Sequence, residues 1–114
     1  MPNTIAHSIT LTEAIDLMNR FRATRASNLP LSETFDKNSV LALLAVPTAT
    51  SLRIYLGEKV DGKICSVLVA ADAMGNDILP ISAGTLGITD AGALILEDAI
   101  RCPDLCPPAS PLNS

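Results

Sequence analysis

Two cysteines separated by three residues, Cys102 and Cys106 in "RCPDLCPPASPLNS", are the residues of this chain whose type and spacing best suit chemistry. Such a pair can bring both sulfurs together on a helical turn or in a tight loop, and three outcomes follow. As a dithiol switch it lacks the C-x-x-C spacing and following helix that depress a thiolate pKa, and Pro103 removes a backbone donor. As a metal site it supplies two soft ligands where structural zinc takes four; His7 and Cys65 are the only other His or Cys, so a shared site between subunits would be needed. As structure, a disulfide would close a short loop and stiffen the tail, whereas a reducing compartment would keep the thiols free. Four prolines in the same stretch favour a stapled or docked tail over a catalytic motif.

The remaining candidates are weaker. His7, the only histidine, would have to meet a distant serine and acid to form a hydrolytic triad, and no nucleophile elbow is present. Asp72, Asn76 and Asp77 lack the D-x-D-x-D-G order and closing Glu of a calcium loop, so a turn explains them better. Gly84, Gly87 and Gly92 fit neither a dinucleotide fingerprint nor a P-loop. Glu97 and Asp98 are sequence neighbours, which on a strand sends them to opposite faces and disfavours an acid/base dyad. No catalytic residue and no cofactor is therefore expected, and the reading leans away from an enzyme.

Composition narrows the partners. The 114 residues fit one domain and, at 48% hydrophobic and 18% charged, can fold around a core. Residues 1–57 carry five Lys/Arg against four Asp/Glu and residues 58–114 three against eight, for charges of +1 and −5. No basic stripe exists for phosphate, and Phe21, Phe35 and Tyr55, the only aromatics, make no stacking platform; nucleic acid is not expected as a partner. The beginning lacks a basic start and apolar stretch, and no segment reaches the ~18 apolar residues of a membrane span. A cytoplasmic protein is expected, with non-classical export left open.

The elements that must position these residues can be read from period and punctuation. Thr10-x-x-Glu13 is a capping box opening a helix that carries Leu11, Ala14, Ile15, Met18 and Phe21 at helical spacing and ends near Ala26. A second helix over residues 36–45 is preceded by Ser32 and Asp36 as possible caps and stopped by Pro47. Leu52, Ile54 and Leu56 then alternate with Arg53 and Tyr55, and Asp61-Gly62 signals a hairpin into "KICSVLVAAD". A turn at "AMGND" leads to a short strand, "DILPI". "GALILE" is expected as a last strand, a helix through residues 91–100 being the alternative. The sum is an α+β domain over residues 1–100: two N-terminal helices on an antiparallel meander of three to four strands, followed by an extended Cys/Pro-rich tail over residues 101–114.

A two-residue turn at Asp61-Gly62 would pair Leu56 with Val67, Ile54 with Val69 and Leu52 with Ala71, and set Cys65 opposite Glu58 on a buried face. The opposite face would then gather Arg53, Tyr55, Ile64, Ser66, Leu68 and Ala70. That face is too apolar for an ordinary solvated surface and too mixed for a second core, and is expected to meet a partner.

"RIYLG", "DGK", "LVAADAMGND" and "CPDLCP" occur in that order. Together they resemble a group of short, uncharacterised proteins of Bacteroidota in which an R-I-Y-x-G strand, a D-G-K hairpin, an L-V-x-x-D-x-x-G-N-D segment and a C-P-x-x-C-P tail recur. The likeness covers about residues 50–79 and 101–113 and departs at "PISAGTLGITDAG". It implies a shared fold and brings no activity. The expected function is a non-enzymatic interaction or structural protein, partnered by itself or another protein through the outer sheet face and tail. The rivals are a thiol-redox or metal-binding role for Cys102 and Cys106, and an adaptor or cargo module of a larger secretion apparatus.

Overall fold

The computed structural model describes residues 5–81, 88–103 and 105–113; Gly84 and Gly87 lie outside them. Elements follow in the order α1 (Leu11–Thr24), β1 (Ser32–Thr34), α2 (Lys37–Leu44), β2 (Ala49–Glu58), β3 (Ile64–Asp72), β4 (Asp77–Leu79), β5 (Ile88–Thr89) and β6 (Ile100–Cys102). The α+β class is as expected. Both helices start where their caps dictate. The Glu13 amide donates to Thr10 Oγ1 at 3.1 Å while the Thr10 amide donates to Glu13 Oε1 at 2.8 Å, and the Ser39 amide donates to Asp36 Oδ2 at 3.1 Å.

The strands form two sheets. One has the order β2-β3-β4-β5, an antiparallel meander of β2, β3 and β4 with β5 added parallel to β4; the other pairs β1 with β6. "GALILE" is neither strand nor helix: its single ladder contact is Leu96 with Leu68, bonded in both directions at 2.8 and 3.0 Å. The last strand is instead Ile100–Cys102, so the expected boundary at residues 100/101 falls inside an element.

The hairpin closes one residue differently from expectation. The Lys59 amide donates to the Lys63 carbonyl at 2.8 Å and the Gly62 amide to the Lys59 carbonyl at 2.9 Å, leaving a three-residue loop with Gly62 at φ +90°. That left-handed position suits glycine, and the turn followed by one left-handed residue is the common three-residue hairpin. The pairs become Leu56 with Ser66, Ile54 with Leu68 and Leu52 with Ala70, and Cys65 faces Gly57. A slip of one residue re-sorts every partner between faces.

The core forms where α2 lies on the even-numbered face. Leu43 and Val46 pack with Leu68, Ala70, Ile78 and Ala93, flanked by Phe35, Leu44 and Leu96. By contrast α1 buries no residue, so it does not pack on the meander as expected. Its link to the body includes the tail, since Arg22 Nη1 donates to the Leu112 carbonyl at 2.6 Å beside a cavity of about 290 Å³ lined by Met18, Leu31, Thr34 and Pro107. The end of the tail turns and meets α1 there. Asn113 Oδ1 accepts from the Ser110 amide at 2.7 Å and Asn113 Nδ2 donates to the Pro108 carbonyl at 3.0 Å, closing a turn around Pro111.

One ion pair ties the two sheets together. Glu33 and Arg101 are directly opposite in the β1–β6 ladder. Arg101 Nη1 lies 3.0 Å from Glu33 Oε2, off the hydrogen-bond axis, so that contact is Coulombic. Each partner also reaches β3: Glu33 Oε1 accepts the Ser66 amide at 2.8 Å, and Arg101 Nη2 donates to the Ile64 carbonyl. Both side chains are largely buried, at 7% and 15% exposure. Removing one partner of such a pair strands the other's charge, at a cost of about 3–5 kcal/mol. Arg101→Met is expected to lose stability on this scale in urea denaturation. Adding Glu33→Gln should recover part of the loss, because the amide oxygen keeps the Ser66 bond without an unpaired charge. A double variant no better than the single would show that charge pairing is not the source.

Candidate interaction surface

The six residues expected to form one partner face do not share it. Arg53 and Tyr55 lie on the odd-numbered face, whereas Ile64, Ser66, Leu68 and Ala70 lie on the other. Leu68 and Ala70 are 4% and 1% exposed within the core, so neither is open to a partner. The physical reason is the three-residue hairpin loop, which pairs Ile54 with Leu68 instead of Val69 and turns Leu68 toward α2. Ile64 is half-buried, its amide donating to the Asn28 carbonyl at 2.8 Å and its own carbonyl taken by Arg101.

The open apolar surface lies on the same even-numbered face as α2, along β2, where the core packed on β3 does not cover it. Along β2 the even-numbered side chains Leu52, Ile54 and Leu56 are 40%, 57% and 76% exposed. They run beside a groove of about 420 Å³ whose wall includes Pro30, Phe35 and Val40 and whose floor is Leu68. The alternation at residues 52–56 predicts that Leu52, Ile54 and Leu56 lie on the buried face; the structure leaves them exposed, because the core packs on Leu68 and Ala70 of β3 instead.

Arg53 and Tyr55 have a different task. Arg53 Nη1 donates to Asp77 Oδ1 at 2.5 Å and to the Gly75 carbonyl at 3.0 Å, and the Tyr55 hydroxyl donates to Asp77 Oδ2 at 2.6 Å. These bonds cross β3 and fasten the β3–β4 turn to β2. Within that turn Asp72 Oδ1 accepts the Met74 and Asn76 amides, each at 2.9 Å, and Gly75 has φ +88°. Asp72, Asn76 and Asp77 are thus turn and staple residues, as the sequence reading preferred.

The cysteines divide by burial. Cys65 is free and buried, as expected, while Cys102 and Cys106 have their sulfurs within disulfide-bonding distance, the former buried and the latter exposed. Glu97 and Asp98 do not diverge on a strand; Lys59 Nζ approaches Glu97 Oε2 at 2.8 Å and Asp98 Oδ1 at 3.8 Å. His7 is exposed at φ 69°, and among the described residues no hydrogen bond joins it to a serine or an acid. Among the described residues no three His, Cys, Asp or Glu side chains gather as a metal site, and no helix is long and apolar enough to cross a membrane. No family model matches the chain, and neither a curated protein nor a solved structure matches it.

The staple makes a pH dependence. The Tyr55 hydroxyl, then the Arg53 guanidinium, hold the Asp77 carboxyl below its ordinary value of 3.8. A carboxylate depressed by folding contributes stability that is present at neutral pH and lost as pH falls through its folded pKa. Thermal melts from neutral to about pH 3 should therefore show a steeper acid loss for the wild type than for Asp77→Asn. Parallel curves would mean that ionisation of Asp77 is not coupled to folding.

Proposed function

We propose that the protein works by binding, as a small self-associating interaction or structural protein without catalysis of its own. The observation that carries this reading is the apolar stripe Leu52, Ile54 and Leu56 beside the open groove. Exposed single hydrophobics are ordinary, but a contiguous stripe along a strand next to an apolar concavity is the usual mark of a protein contact.

Native mass spectrometry across a concentration series tests the reading. A symmetric oligomer is expected, and Leu56→Lys, placed at the most exposed position of the stripe, should raise its dissociation constant by about tenfold or more, since a lysine would be desolvated at the contact. A monomer at every concentration would remove the proposal. Leu68→Lys would not serve, because it places a charge in the core.

A second reading is favoured by one observation, the bonded Cys102 and Cys106 with Cys106 exposed. In it the pair responds to redox poise, and reduction frees the tail at the end of β6. Thiol titration should find two extra accessible thiols after reduction, with protease cleavage of the tail accelerated; an unchanged cleavage rate would leave the bond without a role in tail docking.

A further inference from the structure

The two edges of the β2–β3 hairpin are treated very differently. On the β3 side, the outward amides of Ile64, Ser66, Leu68 and Asp72 donate to Asn28, Glu33, Leu96 and Asn76, the Ile64 and Leu68 carbonyls accept from Arg101 and Leu96, and Ala70 pairs with β4. On the β2 side, the bonds to β3 use odd-numbered residues, as the Lys59–Lys63 pair fixes, so the amides and carbonyls of Leu52, Ile54 and Leu56 point outward. Among the described residues none bonds to them, and β2 ends the sheet. The strand is ten residues long, about 34 Å of edge. Natural edges are commonly blunted by proline, lysine or bulges. Here β2 has no proline or lysine, its register irregularity sits at its start between Ala49 and Ser51, and its one cation, Arg53, is already paired with Asp77.

Resting on the self-association reading, we infer that β2 pairs antiparallel with β2 of a second copy about a twofold axis at Ile54, joining the two four-stranded sheets into one. Outward groups must meet outward groups, so even-numbered residues face even-numbered ones, and three registers compete. A twofold at Arg53 sets two guanidinium groups directly opposite, a destabilising arrangement. One at Tyr55 opposes Glu58 to Leu52. The register centred on Ile54 sets Ile54 against Ile54 and Leu52 against Leu56, making one apolar ridge at the mouth of the groove, and sets Arg53 against Tyr55. No like charges meet and every stripe residue gains an apolar neighbour. The edge is self-complementary, which is the condition for a closed twofold dimer rather than an open fibre.

Cysteine cross-linking reads both the partner and the register. Cα atoms of a hydrogen-bonded antiparallel pair lie about 5.5 Å apart, within the span a disulfide bridges. In the full chain without reductant, Ile54→Cys should cross-link to itself under mild oxidation. Leu52→Cys and Leu56→Cys should each be silent alone and cross-link when mixed. Self-linking of Arg53→Cys or Tyr55→Cys in place of Ile54→Cys would overturn the register. As an independent measurement, Ile54→Pro removes an outward amide that the protomer's own sheet does not use, so the fold persists while the dimer's dissociation constant rises at least about tenfold. An oligomer that survives Ile54→Pro and yields no Ile54 cross-link would overturn edge pairing while leaving self-association standing; a monomeric wild type would overturn both.

Discussion

The strand β3 sets the terms for the rest of the chain. Four of its residues in succession, Leu68 to Ala71, are buried, and a buried strand must have its amides and carbonyls bonded on both sides. One side is met by β2. The other is met by a relay of unrelated pieces: a loop carbonyl at Asn28, a glutamate, an arginine, the backbone of Leu96, the strand β4 and the turn at Asn76. The positions of β1, β6 and the 94–97 segment follow from this demand. The largely buried Glu33–Arg101 pair exists because a side chain on each of two short strands substitutes for a missing ladder partner. Its charges are tolerated because they face each other, while Glu33 Oε1 and Arg101 Nη2 each bond a peptide group of β3.

The polar residues that give the sequence its most distinctive look serve geometry. Gly62 and Gly75 occupy left-handed positions, Asp72 organises the turn around Gly75, and Arg53 and Tyr55 converge on Asp77. A set of D, G, N and R residues in fixed order therefore signals two tight turns and a cross-strand staple, with no nucleophile, acid or metal ligand implied. The apolar residues of β2, which look like an ordinary amphipathic strand, are the ones left facing outward.

What the sequence made legible was local. The capping box at Thr10 and Glu13, the Asp36 cap and the Asp61-Gly62 turn each depend on residues within four positions of one another, and each element appeared within two residues of expectation. The hairpin register was missed because two-residue and three-residue loops share the same Asp-Gly signal, and one position decides which face every side chain occupies. The strands β1 and β6 were invisible because "SET" and "IRC" have no period; only a partner far along the chain makes them strands. The alternation on β2 was visible, but not how little of that face the core around Leu43, Leu68 and Ile78 would cover, which leaves the β2 side chains exposed. The disulfide was among the alternatives and could not be separated from free thiols by spacing.

The β1–β6 pairing also bears on the order in which the molecule can be assembled. Glu33 is made early and Arg101 late, so during synthesis the glutamate's charge and the Ile64 carbonyl wait for a residue that emerges only after the entire hairpin has been made. Contacts between residues so distant in sequence require a large loop to close before they return any stabilisation, which slows folding relative to a chain built from local contacts. Until translation passes residue 101, β3 has a partly unbonded flank, and the nascent chain is for that interval a hairpin with two open sides instead of one.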